Sequence, residues 1–295
     1  MQARRRWGSL SDVRIPRLAS KGRTLSWGTN APQMNFRESH RDGGLVIIEQ
    51  CATATTSKTQ FRKLEQGFQM SVTGQGKFAK LKAVIFDYGD VLCLPPTADD
   101  VGDSARILDI SSDAFRALWH RNRDLYDRGD LSPETYWRKL AEDAGKPLGV
   151  AQLRELSELD VAMWSRLNPG MVAWLEFLSS TGMRTAILSN MHIDMVRHAR
   201  RNFQWLGRAH CTTFSAEVRL IKPDPLIYEH CLRGLDVAPS EALFIDDRQV
   251  NIEAARNMGI HGIQFKSMAQ LRMELEAAGF PMLPEDPVQT KAVSI

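Results

Sequence analysis

The chain has 295 residues, with a hydrophobic fraction of 43%, a charged fraction of 25% and a mean hydropathy of -0.30. That balance is expected of an ordinary soluble globular protein rather than a disordered or membrane one. No apolar run approaches the ~18–20 residues a membrane helix needs, and the N-terminus lacks the apolar core of a secretory signal, so no membrane partner and a cytoplasmic location are expected. Net charge is +3, but residues 1–69 hold 12 Lys and Arg against 5 Asp and Glu, leaving 26 against 30 for the rest. The mildly acidic remainder argues against a nucleic-acid partner despite a pI near 8.7.

Residues 1–79 show no sustained periodicity beyond short pieces such as Leu45-Val46-Ile47-Ile48, and are expected to be a disordered extension. Arg4-Arg5-Arg6 lacks the amphipathic helix of a transit peptide, so an over-extended gene start is the preferred reading, with translation from Met70. Cys51, Cys93, Cys211 and Cys231 are scattered without a C-x-x-C pair, which predicts free thiols.

From Leu81 the text changes. Ala83-Val84-Ile85-Phe86 is a short continuous apolar run ending at Asp87, the pattern of a parallel strand buried on both faces. Similar runs follow at Thr185-Ala186-Ile187-Leu188, ending at Ser189, at Ala242-Leu243-Phe244-Ile245, ending at Asp246-Asp247, and at residues 261–265. Between the first two lies a stretch with no strand signal. It holds a helix face of Phe115, Leu118, Trp119 and Asn122, a helix opened by Ser132-Pro133-Glu134 and ending near Gly145, and a third candidate helix from Gln152 to Leu167. Met171, Trp174, Leu175 and Leu178 mark another helix, stopped at Gly182, and Ser267 with Gln270 forms a capping box for the last one. No solenoid repeat is visible. The expectation is an α/β doubly wound parallel sheet over 80–97 and 169–280, with a small helical cap over 98–168 and a tail over 281–295.

In an open parallel sheet, ligands bind beyond the carboxyl ends of the strands. Asp87, Ser189, Asp246 and Asp247 are therefore read together. Three carboxylates at one edge repel one another unless a cation sits among them, and hard oxygen ligands point to Mg2+. Ser189 and Asn190 stand where hydroxyl and backbone donors would hold a phosphate oxygen. Asp224 and Pro225 read as N-cap and first residue of a helix, fixing Lys222 just outside its start, where a lysine neutralises an anionic intermediate.

The order Phe86-Asp87-Tyr88-Gly89-Asp90-Val91-Leu92, then Leu188-Ser189-Asn190, then Lys222-Pro223-Asp224-Pro225 with Tyr228, then Phe244-Ile245-Asp246-Asp247 with Asn251 and Gly259, resembles motifs I to IV of the haloacid dehalogenase (HAD) superfamily. The resemblance covers about residues 81 to 280. The insert after the first strand is similar to that family's helical C1 cap, and residues 126–132 look like a stretch found in caps of glucose-1-phosphate phosphatases and of the N-terminal domain of soluble epoxide hydrolases. The resemblance implies a phosphatase acting on a small phosphorylated molecule: Asp87 attacks phosphorus, already ionised at the ordinary carboxylate pKa, and water hydrolyses the aspartyl-phosphate. It further implies Mg2+ held by Asp87, the carbonyl of Gly89, Asp246 and Asp247, with Ser189, Asn190 and Lys222 binding the phosphoryl group.

One departure stands out. Most phosphatases of the superfamily carry a second Asp two residues after the nucleophile, and here that position is Gly89, so slow or selective turnover is expected. The enzymatic rival is a 2-haloacid dehalogenase, against which the Asp246-Asp247 pair weighs. A non-catalytic binding protein of the same fold is the rival from another class. Arg121, Arg123, Arg128 and His192 are open candidates for the substrate side, Asp90 reads as a turn residue, and Trp119, Trp137 and Trp164 read as cap core. The sequence leaves the oligomeric state undetermined.

Overall fold

A computed structural model describes Phe78 and residues 80–280, together with the backbone of His40–Arg41 and Gly44–Leu45, which pair antiparallel. The arginines at 4–6, residues 46–48, Cys51, Met70 and the tail from 281 lie outside the described residues.

Five strands form the main sheet: β1 (Ala83–Phe86), β2 (Arg184–Ser189), β3 (Cys211–Phe214), β4 (Ala242–Asp246) and β5 (His261–Gln264). All pairings are parallel and the order is β3-β2-β1-β4-β5. Phe86 stands opposite Ile187 on one side and Ile245 on the other, so β1 is the central strand and all four of its residues are fully buried. Period-two alternation divides its side chains between two apolar layers. Val84 and Phe86 join Ile187, Leu243 and Ile245 under α6 (Pro169–Ser180), α7 (Ile193–Asn202) and α11 (Met268–Ala277). After the short helix α8 (Ser215–Val218), α9 (Pro225–Leu235) and α10 (Gln249–Asn257) cover Ala83 and Ile85 together with Ala186, Leu188 and Phe244. The fold is thus α/β, a parallel sheet covered by helices on both faces, as the continuous apolar runs predict.

The stretch between β1 and α6 is helical: α1 (Ala98–Ile107), α2 (Ser112–Arg121), α3 (Arg123–Asp127), α4 (Pro133–Asp143) and α5 (Val150–Met163). They surround a third apolar cluster of their own, with Phe115, Tyr126, Tyr136, Trp137 and Leu156 fully or almost fully buried. The two chain segments joining this insert to the sheet run side by side. Leu94 N–H donates to Arg166 C=O (2.7 Å) and Asn168 N–H to Leu92 C=O (2.9 Å), making a short neck.

Three elements differ from the sequence reading. Helix α1 opens with a capping box, Thr97 with Asp100, that the apolar pattern does not reveal because only Val101, Ser104 and Ala105 are buried along it. Strand β3 is four residues at the sheet edge, Cys-Thr-Thr-Phe, too short and too polar to read as an apolar run. The third insert helix also stops at Met163 rather than continuing to Leu167, because residues 166–168 are needed for the neck.

Candidate active site

Asp87 ends the central strand in an extended conformation, and its Oδ1 accepts from the next residue's N–H (2.6 Å). The chain then turns sharply through Asp90 at φ 54°, a left-handed conformation that Asp tolerates better than most side chains. Strand β4 delivers Asp246 and the residue after it, Asp247, beside Asp87. One carboxylate oxygen from each of the three lies within 4.8 Å of the others. The strand-end logic of the sequence therefore brings together Asp87, Asp246 and Asp247, with Ser189 also lining the same cavity floor as Asp87 and Asp247.

Lys222 comes from the loop before α9 and is buried. Its Nζ is 2.8 Å from Asp87 Oδ1 and donates to Asp246 Oδ2 (2.6 Å) and the Leu188 carbonyl (3.0 Å), using all three protons. Asn190 fixes this loop. Its Nδ2 donates to Lys222 C=O (3.0 Å) and its Oδ1 accepts from Lys222 N–H (2.9 Å), so its side-chain amide is spent on placing the lysine. Asp224 caps α9 by accepting from Leu226 N–H (2.9 Å), with Pro225 at the first turn as predicted.

Asp246 and Asp247 have different surroundings. Asp246 is fully buried and off the cavity wall. Both its oxygens accept from Asn251 Nδ2 (2.9 and 3.0 Å), Oδ1 also from Arg248 N–H (2.8 Å), and Oδ2 also from Lys222. Tyr228 Oη donates to Asn251 C=O (3.0 Å), which places the motif residues Tyr228 and Asn251 as supports of Asp246. Asp247 instead lines the cavity.

The charges are unbalanced. Burial, Asp246 and Asp247 push the Asp87 carboxyl well above the ordinary range, more than Lys222 offsets. This corrects the expectation of an unperturbed nucleophile. Burial, then Asp246 and Asp90, raise Asp247 to about 6. Burial works against the charge of Lys222, but Asp246 and Asp87 outweigh it and raise its pKa. Asp246 is held low: burial raises it, and Lys222, Arg248 N–H and Asn251 overcome that. A lysine shared by two carboxylates, with a third beside them, is a site short of positive charge.

Above this floor lies a cavity of about 600 Å3 whose far wall is the insert. Trp119, His120, Arg123, Asp124, Asp127 and Trp164 line it from that side. Trp164 is anchored to the nucleophile loop, its carbonyl accepting from Tyr88 Oη (2.7 Å), and its ring stacks on Trp119 at 6.1 Å. A Cβ added at Gly89 would lie 3.6 Å from the Trp164 ring. The side chain of a second Asp would thus begin in ordinary contact with an indole.

A second buried charge cluster ties the insert to the sheet. Arg123 Nε donates to Asp127 (3.0 and 3.2 Å) and its NH1 to both oxygens of Asp160 (3.0 Å each), while His192 Nε2 lies 3.1 Å from Asp160. Of the three insert arginines singled out in the sequence, Arg123 alone lines the cavity; Arg121 pairs with Asp143 and Arg128 with Asp130. His192 also lines the cavity, and it caps α7 by accepting from Met195 N–H (3.4 Å). Asp160 and Arg248 carry no motif or periodic signal and are not legible as site neighbours in the sequence; Asp127 falls in the 126–132 stretch, which by itself does not place it at the site. Trp119 and Trp164 border the cavity as well as the insert's apolar cluster, and Trp137 is core alone. Cys93, Cys211 and Cys231 are free thiols.

Comparison with known proteins agrees with this architecture. The family model of haloacid dehalogenase-like hydrolases matches residues 81–259. A sesquiterpene phosphatase of Aspergillus oryzae is 25% identical over 198 residues, covering 66% of this chain and 94% of that protein. (S)-2-haloacid dehalogenase 1 of Pseudomonas sp. is 26% identical over 197 residues, covering 62% and 84%. The chain spans only 19% of mouse acyl-CoA dehydrogenase family member 10, to which it is 29% identical over 216 residues, and 40% of rat bifunctional epoxide hydrolase 2. Among solved structures, a HAD family enzyme of Bacteroides thetaiotaomicron, in complex with magnesium and inorganic phosphate, superposes with a TM-score of 0.54 at 19% identity, covering 63% of this chain and 94% of that one. Among the described residues no helix is long and apolar enough to cross a membrane.

Proposed function

This chain belongs to the haloacid dehalogenase-like hydrolases, and we propose that within that family it is a Mg2+-dependent phosphatase acting on a small phosphomonoester, with Asp87 as nucleophile. The observation that carries this reading is the acid excess at the end of the central strand, where Asp87 and Asp247 face the cavity within ligand distance of each other. A dehalogenase that needs no metal gains nothing from crowding three carboxylates, whereas a hard divalent cation resolves the repulsion.

The donor set fits Mg2+, which takes carboxylate and carbonyl oxygens. Asp87, Asp247 and the backbone carbonyl of Gly89 are the ligands proposed. Asp246, expected from the sequence to be a fourth, has both oxygens hydrogen-bonded already, and its proposed part is to orient Lys222. When bound, Mg2+ offsets the repulsion between Asp87 and an anionic substrate and favours the ionised carboxylate. Asp87 then attacks phosphorus in line, the phosphorus–oxygen bond to the leaving group breaks, and water hydrolyses the aspartyl-phosphate. Lys222 offsets charge on Asp87 and the phosphoryl group, while the Ser189 hydroxyl and the backbone of Asn190 hold a phosphoryl oxygen. With glycine at 89 and an indole beside it, no carboxylate shuttles the leaving-group proton from that position. Slow turnover that rises as the leaving-group pKa falls is the consequence.

The test is a panel of phosphomonoesters with and without Mg2+, run beside Asp87→Asn. Phosphate release that needs both Mg2+ and Asp87 supports the reading. Metal-independent halide release from 2-haloacids, without phosphate release, would replace it with the dehalogenase. A 3D fold shared with both chemistries makes this experiment necessary.

A further inference from the structure

The cavity is much larger than a phosphoryl group needs, and its walls differ in charge. Three Arg and Lys side chains line it. Lys222 is shared by Asp87 and Asp246, and Arg123 is shared by Asp127 and Asp160. The third, Arg248, makes no side-chain hydrogen bond or ion pair with any described residue, and it is solvent-exposed on the cavity rim at the start of α10. Facing the same cavity from the insert is His120, in the last turn of α2, whose ring packs 5.1 Å from Trp119. The two positions belong to different parts of the chain, one following the metal-site acids and one on the insert, and the cavity brings them together.

Five carboxylates, Asp87, Asp90, Asp124, Asp127 and Asp247, also line the cavity, and none of them pairs with the Arg248 side chain. Burial lowers the pKa of His120, and Arg123, Arg248 and Arg116 lower it further, in that order, so the imidazole sits in a field of cations. Asp124 lines the same rim and forms no ion pair with either His120 or Arg248. Between rim and floor the wall is the stacked pair Trp119 and Trp164, which offers aromatic surface. A guanidinium left unpaired beside a cavity wall is a ready partner for a planar anion, and Arg meets carboxylates with two parallel hydrogen bonds.

We infer that the cavity takes a phosphomonoester whose organic part is flat or apolar and ends in a second anionic group, bound at the rim by Arg248 and His120. This rests on the phosphatase reading for the first anion. The phosphoryl group lies at Asp87 and Lys222, the body lies along Trp119 and Trp164, and the second anion draws the insert and the sheet together from both sides of the opening.

Binding of non-hydrolysable phosphonates separates this inference from the catalytic reading. Benzylphosphonate, its 3- and 4-carboxy derivatives and the matching neutral carboxamides would be titrated calorimetrically into the Mg2+-loaded full chain. The better carboxylate should bind about ten- to a hundredfold more tightly than its carboxamide. In Arg248→Gln that ratio should fall to within about twofold, and in His120→Asn by a smaller factor. Arg116→Gln, on the same helix but off the cavity wall, should keep the wild-type ratio. Equal binding of carboxylate and carboxamide by the wild type overturns the inference, as does a ratio that survives Arg248→Gln. A preserved carboxylate preference without hydrolysis of any phosphomonoester would retain the rim site and discard the phosphatase.

Discussion

The molecule buries two clusters of charge a short way apart, and they behave in opposite ways. At the strand ends, Asp87, Asp246 and Asp247 crowd around one lysine; Asp246 is held low by its hydrogen bonds, while Asp87 is pushed well upward and Asp247 to about 6. At the junction of insert and sheet, Asp127 and Asp160 meet Arg123 and His192. There, although burial opposes it, Arg123 and His192 hold Asp160 down to about 2, and burial leaves Asp127 raised. Asp160 is satisfied by the protein itself, as Asp246 is, whereas Asp87 and Asp247 are left short of positive charge. A buried network that closes on itself fixes geometry, and one that does not is a candidate for chemistry.

Mutations should divide along that line. Arg123→Leu strands two buried carboxylates and is expected to cost about 3–5 kcal/mol of stability in urea unfolding. A loss below about 1 kcal/mol would show that the junction does not hold the insert. Asp247→Asn should do the reverse in metal-free protein at pH 8, relieving repulsion and stabilising by about 1 kcal/mol. It should also abolish the stabilisation that added Mg2+ gives the wild type. Destabilisation by the same variant without metal would remove the distinction between the clusters.

The clusters should also part in their pH dependence. Asp160 has a folded pKa below its unfolded value of about 3.9. Its contribution is complete above about pH 4 and is lost as pH falls through about 2. Asp247 has a folded pKa raised to about 6, so in metal-free protein stability falls as pH rises from about 4 through about 6. Asp247→Asn should shrink the upper limb of the stability profile, which Asp87 shares, and Asp160→Asn the lower one. A single limb affected by both variants would mean the clusters titrate together.

The smallest effect is expected at the glycine that replaces the customary acid. Gly89 has φ −61°, open to any residue, and an added Cβ would make ordinary contact with Trp164 at 3.6 Å. Gly89→Ala should therefore change stability by no more than about 0.5 kcal/mol and keep the backbone carbonyl in place. Gly89→Asp alone should gain little turnover if the neighbouring Trp164 ring crowds its carboxylate. Gly89→Asp with Trp164→Ala should then gain more on substrates with poor leaving groups. Equal rates for the single and double variants would show that Trp164 does not limit that position.

Sequence and structure diverge for the same physical reason. The strand-end site was legible because a buried parallel strand writes itself as a continuous apolar run, and the residue after each run is then placed by topology. Asp87, Ser189, Asp246 and Asp247 are placed together by that rule from the sequence alone. The junction was not legible because Arg123 and Asp160 are 37 positions apart on two helices whose meeting depends on how the insert packs. The same limit hid the saturation of Asp246: adjacent acids look alike in a sequence, and only the fold turns one toward Lys222 and the other toward the cavity. It also hid the raised pKa of Asp87, which comes from burial and from carboxylates on another strand.

If Asp87 is the nucleophile, its carboxylate becomes phosphorylated during turnover. The most direct measurement is peptide mass spectrometry across residues 83–90 after rapid acid quench of the Mg2+-loaded protein turning over a phosphomonoester. The expected result is one added phosphoryl group on Asp87 in the wild type, absent from Asp87→Asn, which no longer turns over. Steady phosphate release by Asp87→Asn, or by wild type whose peptide is never modified, would contradict it.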